Sequence, residues 1–351
     1  MKKLPTRALG RTGLRVTFPA LGGVGIGGVS TADLYGGVTD DEGIDAVLTA
    51  VRRGINFIDT SPLYMESERR IGMALAELSS EERNGLVICT KVGDECPPYS
   101  DNGGYDALSA AGVRCSIESS LQKLGRDHIE VCLIHDTNTA ELEAFLAPGG
   151  GMEGLRQARR EGLVGHLGIG THDQPHAPLH RRWLAEPDAE VLLTVNDWNL
   201  LRRYGGEPQG CITAAVESNG GVLNAGVFYM GLLSGLSPKE SFSQGFKGSI
   251  VPEMAKCLDL AQRQWEWCNH RGISLGSLAL QWAMQHPGVS TCIVGCRTAD
   301  EVNGLCDMAQ EWEPTELIQT WEAFDAAFGP EIAALEERDH WWYVKGETVI
   351  N

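Results

Sequence analysis

The strongest constraint on how this chain can fold is an alternation: eight short apolar runs, separated by segments of helical period. The runs are residues 20–22, 55–59, 86–91, 129–135, 163–169, 191–196, 221–224 and 291–294, each of strand length and bounded by polar or glycine residues. Between them, residues 41–53 place Ile44, Val47, Leu48 and Val51 on one stripe, and 68–78, 109–124, 151–161, 212–218, 254–270 and 275–286 also read as helices. Runs that are apolar throughout, rather than on alternate residues, need cover on both faces. That argues for a parallel sheet wrapped in helices. Eight such units in 351 residues fit an α/β fold of the closed (β/α)8 TIM-barrel type better than an open sheet. A hairpin with the turn Gly10-Arg11-Thr12-Gly13 precedes the first run. No linker or composition shift divides the chain, so a single domain over 1–351 is expected. The stretches 93–106 and 227–251 and the tail from 313 are candidates to cover the mouth.

Charge and cysteine usage exclude several classes. The net charge of -18 opposes binding to nucleic acid or an anionic membrane, and no run of Lys and Arg offsets it. The lysines at Lys2 and Lys3 have no apolar stretch behind them, and nothing approaches the roughly 20 apolar residues of a membrane span. Ten scattered cysteines without a C-x-x-C pair point to a reducing cytoplasm.

Three of the runs end on an ionisable side chain: Ile58-Asp59, Thr90-Lys91 and Ile134-His135, with Tyr64 five residues beyond Asp59. In a parallel barrel, strand ends share one mouth. Each residue alone has an ordinary structural reading, as helix cap, rim charge or hydrogen-bond partner. On consecutive strand ends the set reads as catalytic. An ammonium beside a phenol lowers its pKa, and a carboxylate holds the ammonium in place, so Tyr64 becomes an acid or base and His135 an orienting partner. That suits interconversion of alcohol and carbonyl beside a hydride carrier.

Other motifs carry less. Gly23-Val24-Gly25-Ile26-Gly27-Gly28 satisfies G-x-G-x-x-G, yet the residues after it have no helical period. It is read as a glycine-lined loop that lets a cofactor near Gly25 rather than as a Rossmann fingerprint. His172, His176 and His180 recur every four residues, but Pro175 and Pro178 argue against a regular helix, so no metal is expected and the cluster is read as a polar rim. Tyr99, His172 and Trp198 are candidate substrate contacts, while Trp341-Trp342-Tyr343 are read as packing.

Phe57-Ile58-Asp59-Thr60-Ser61-Pro62-Leu63-Tyr64, Glu68-Arg69-Arg70-Ile71-Gly72, Thr90-Lys91-Val92-Gly93 and Leu133-Ile134-His135-Asp136 together resemble the aldo-keto reductase superfamily. The resemblance runs from the hairpin to about residue 307. It implies a (β/α)8 barrel, NAD or NADP across the mouth, and hydride transfer without a metal. Gly170 and Thr171 stand where the family usually has Ser and Asn on the nicotinamide amide. Ala225-Gly226-Val227-Phe228 replaces a segment that commonly supplies a stacking Tyr. Asn196, Ala225, Gly226 and Gly231 are the implied cofactor contacts there, and Gly295, Arg297, Thr298 and Glu301 those at the adenosine end. Leu305 occupies a common adenine-binding Asn position. Asn224-Ala225-Gly226 with Met230-Gly231-Leu232-Leu233-Ser234-Gly235 is closest to the branch that oxidises sugars at C1, such as L-galactose, L-fucose and D-threo-aldose dehydrogenases. Glu301 disfavours a 2'-phosphate and points to NAD, with Arg297 the counter-argument. The expected reaction is oxidation of an aldose to a lactone with Tyr64 as base. The alternatives are NADPH-dependent reduction of aldehydes or ketones, and a cofactor-binding regulatory subunit.

Overall fold

The computed structural model describes residues 3–27, 37–94, 101–171, 176–240, 252–311 and 314–338. Among them, eight parallel strands close into a barrel: β1 Ala20–Gly22, β2 Phe57–Asp59, β3 Val87–Val92, β4 Ile129–His135, β5 Val164–Gly170, β6 Ala189–Val195, β7 Gly221–Ala225 and β8 Thr291–Gly295. β8 pairs with both β1 and β7, which completes the ring. The expected barrel is therefore present, with strand bounds that differ from the expected ones by no more than two residues at either end.

The side-chain period of two explains both layers of core. Phe57, Cys89, Val131, Leu133, Val191, Leu193, Leu223 and Ile293 fill the interior. Ile58, Ile88, Cys132, Ile134, Leu192 and Val222 face outward and pack against the helices. The next inward positions beyond Phe57, Cys89 and Leu133 are Asp59, Lys91 and His135. Their place at one end of the barrel follows from register alone.

The other end is closed by the hairpin Thr6–Ala8 and Arg15–Thr17, whose Leu9 and Val16 join the interior cluster with no exposed surface. Gly10 makes this fit possible. Its φ is +51°, and a Cβ there would stand 2.2 Å from the Gly221 backbone nitrogen. Arg7 ties the plug to the last unit: its guanidinium donates to the carbonyls of Val289 at 2.8 Å and His286 at 3.1 Å, and to that of Met284.

Among the described residues, four helices of eight or more residues were not marked by periodicity: Thr139–Leu146, His176–Leu184, Ala299–Gln310 and Pro314–Arg338. Two defy a reading that takes proline as a breaker. In His176–Leu184, Pro178 lies in the first turn, where no intrahelical N–H is needed, so the expectation that proline prevents a helix here is corrected. Pro330 lies inside Pro314–Arg338, whose Phe324, Phe328 and Ile332 are buried against the barrel's helices.

Replacing Arg7 with Ala is expected to lower stability by about 2–3 kcal/mol, since three carbonyls lose a charged donor. The midpoint of denaturant unfolding measures it; an unchanged midpoint would show that the clamp contributes nothing.

Candidate active site

The turn after β2 is built to present Tyr64. Ser61 accepts a hydrogen bond from the Leu63 N–H at 3.0 Å and so caps the single turn Pro62–Tyr64. Behind it lies the glycine segment, folded as the short helix Val24–Gly27. A Cβ on Gly27 would stand 1.9 Å from the Tyr64 carbonyl oxygen, and one on Gly23 2.7 Å from that of Asp59. These glycines let two backbones touch, and the contact fixes the tyrosine loop.

The four residues expected to act together do converge. Lys91 Nζ donates to Asp59 Oδ1 at 2.7 Å and to the Thr60 carbonyl at 2.7 Å, and lies 4.7 Å from the centre of the Tyr64 ring. The Tyr64 and His135 rings meet edge to face at 5.8 Å. His135 Nδ1 faces the Asp94 carboxylate, with Ser61 Oγ at 3.2 Å. Asp94 and Ser61 were not foreseen as members. The signal for Asp94 was its place one residue past Gly93, whose φ of +100° turns the chain at the end of β3. Deeper still, Thr90 donates to the fully buried Glu68 at 2.7 Å, and burial pushes the Glu68 carboxyl up.

The electrostatics correct one expectation. Burial works against the Lys91 charge, but Asp59, followed by Tyr64, more than offsets it, and the net direction is upward. For Tyr64 the expected lowering by Lys91 is present but is not the largest influence. Burial of the phenol raises its pKa, and Asp59 and Asp94 add to the rise. At neutral pH the side chain is therefore a phenol, ready to donate a proton.

The implied cofactor contacts lie at the ends of β5 to β8 and beyond. Gly170 ends β5, and the buried Thr171 donates to the Thr137 carbonyl at 2.9 Å. Asn196 follows β6 with φ of +58° and donates its N–H to the Ala225 carbonyl at 3.0 Å. A Cβ on Gly226 would lie 2.1 Å from Asn196 Oδ1. Gly231 follows Tyr229 and Met230, both with positive φ, so this loop holds unusual backbone. Gly25 packs under the Cys296 carbonyl just beyond Gly295. Glu301 accepts from the Arg297 N–H at 2.7 Å and from its guanidinium at 2.6 Å and 3.0 Å, while Thr298 caps the helix of Glu301.

Of the candidate substrate contacts, Tyr99 and His172 lie outside the described residues, as do Trp341, Trp342 and Tyr343. Trp198, expected at the mouth, is committed elsewhere: its indole stacks on Trp282 at 4.4 Å and meets His286 edge-on at 4.8 Å. His180, read as rim, is buried in its helix.

This geometry can be set beside known proteins. The chain is 29% identical over 327 residues to the L-galactose dehydrogenase of Arabidopsis thaliana, covering 91% of this chain and 92% of that one. It is 27% identical over 299 residues to the D-threo-aldose 1-dehydrogenase of a Pseudomonas species, covering 80% and 86%. A holo-form aldo-keto reductase of Bacillus halodurans superposes with a TM-score of 0.68 at 19% identity, covering 92% of this chain and 96% of that one, which shows the shared fold. The aldo/keto reductase family model matches residues 23–326. A barrel with these four side chains at its mouth, matched by that model over most of its length, makes this oxidoreductase a member of the aldo/keto reductase family.

Proposed function

We propose that the enzyme oxidises an aldose at C1 with NAD, giving the lactone. The observation that carries this reading is the meeting of Tyr64 and His135 in front of the buried Lys91–Asp59 pair. Two polar groups that meet from different elements, Tyr64 from the turn after β2 and His135 from the end of β4, can both reach one substrate oxygen. Together they donate to it and handle the proton it gains or loses. Lys91 and Asp59 keep Tyr64 in place rather than touching the sugar. When bound, the nicotinamide supplies the ring carbon that accepts hydride.

Asn196 fits such a group. It is 1% exposed, and neither its Oδ1 nor its Nδ2 has a hydrogen-bond partner among the described residues. Buried amide atoms are normally satisfied, and a carboxamide offers the acceptor and donors that would satisfy these. Preference for NAD is supported by Glu301, which pairs with Arg297 and adds a carboxylate to the segment that the family resemblance assigns to the adenosine end, where a 2'-phosphate would favour a cation.

The sugar-oxidising reading draws on the names of the two dehydrogenases above. The runner-up, reduction of small aldehydes, is supported by 25% identity to the NADH-specific methylglyoxal reductase of Escherichia coli, over 86% of this chain and 91% of that one. A cytoplasmic setting is supported by nine described cysteines that are all free; no described helix is long and apolar enough to cross a membrane.

A panel of aldoses and aldehydes, assayed with both cofactors, tests the reading. NAD-linked sugar oxidation is expected, and turnover of aldehydes alone would favour the runner-up. Tyr64→Phe should reduce kcat by roughly 10²- to 10⁴-fold, the usual span for losing one member of a pair that handles the substrate's proton; full activity would remove Tyr64 from the chemistry. Glu301→Ala should take that carboxylate away from Arg297 and shift the ratio of NAD to NADP affinity toward NADP by about twofold to fivefold, the scale of one exposed charge. An unmoved ratio, measured by cofactor titration, would rule out that role.

A further inference from the structure

We propose that Asp94 is a positioning residue that holds the imidazole proton of His135 on Nδ1, so that Nε2 is the nitrogen that meets the reacting oxygen. The inference rests on the reading of Tyr64 and His135 as the pair around that oxygen.

The contacts decide the tautomer. Asp94 Oδ2 is in hydrogen-bond contact with His135 Nδ1. An ionised carboxylate can only accept, so Nδ1 is the donor. The other neighbour, Ser61 Oγ at 3.2 Å, decides nothing by itself, because a hydroxyl can donate or accept. The Asp94 side chain is 10% exposed and that of His135 4%, so water competes weakly for the bond. The placement is a product of the fold: β3 carries Lys91 into the mouth, and the turn at Gly93 brings the next residue back over the end of β4. Among the described residues, the groups that face the imidazole are then Asp94 from the turn after β3 and Ser61 and Tyr64 from the loop after β2, with Lys91 and Asp59 behind the tyrosine.

The consequence is a preference between the two forms of a substrate. A neutral ring with its proton on Nδ1 presents a lone pair at Nε2. An alcohol can donate its O–H to that lone pair while it accepts from the Tyr64 phenol. A carbonyl oxygen has no proton to give and needs a protonated Nε2, so the ring must take up one more proton to receive it. Asp94 thus sets the neutral site for the hydroxyl form. Without Asp94 the neutral ring is free to carry its proton on Nε2 and to greet a carbonyl directly.

The experiment is nitrogen NMR of histidine-labelled enzyme saturated with NAD, with the His135 signals assigned by their loss in His135→Gln. The expected neutral form carries hydrogen on Nδ1 and a bare Nε2. A neutral wild-type ring with its hydrogen on Nε2 overturns the proposal without recourse to any Asp94 variant. In Asp94→Ala the hydrogen is expected to move toward Nε2. The kcat/KM for alcohol oxidation is expected to fall by about 10- to 100-fold, the usual loss for a group that orients another, while aldehyde reduction, which still consumes its one proton, no longer needs a doubly protonated ring and loses the pH dependence that this need imposes. An Asp94→Ala enzyme with unchanged tautomer and pH profile also overturns it. Tyr64→Phe separates the two ideas: full activity in that variant removes the reading of the pair, whereas the nitrogen signals report on Asp94 alone.

Discussion

The site is organised around one buried ion pair. Lys91 and Asp59 have side chains 0% and 3% exposed, and they sit above an interior that is otherwise apolar. Charges so placed are stable only as partners. Removing one leaves the other uncompensated, at a cost of about 3–5 kcal/mol, whereas the pair itself need not add net stability over an apolar replacement. Its value lies in direction. An ammonium has three protons. Two are aimed at Asp59 and the Thr60 carbonyl, and the Tyr64 ring lies beside the same nitrogen. The orientation of the tyrosine is thus inherited from strands β2 and β3.

Much of this was legible in the sequence because it follows from periodicity. An apolar run with a charge at its end implies an inward side chain at a strand terminus whenever the register is preserved, and β2, β3 and β4 preserve it. Less legible were features that depend on where distant segments meet. Asp94 could not be tied to His135 without the turn at Gly93, and Trp198 could not be seen to stack on Trp282, 84 positions away, until both were in place. The net direction for Tyr64 was also hidden. A nearby ammonium can be inferred from spacing, but the opposing effect of burial depends on what encloses the phenol.

The glycine segment shows how one pattern serves two kinds of contact. In a dinucleotide fingerprint, glycines let a backbone approach phosphate. Here Gly23 and Gly27 let one backbone approach another, against Asp59 and Tyr64, and Gly25 does the same against Cys296. The requirement for a missing Cβ is shared; the partner is the protein itself. A sequence pattern of this sort reports close approach, and only the surrounding elements say to what.

The hairpin at the base of the barrel also bears on the site at its far end. With Leu9 and Val16 filling that end and Phe57, Cys89 and Leu133 packed above them, the interior is solid rather than hollow. Asp59, Lys91 and His135 therefore stand on a floor of packed side chains, and a change of volume at the plug would be passed upward through that column to the groups that do the chemistry.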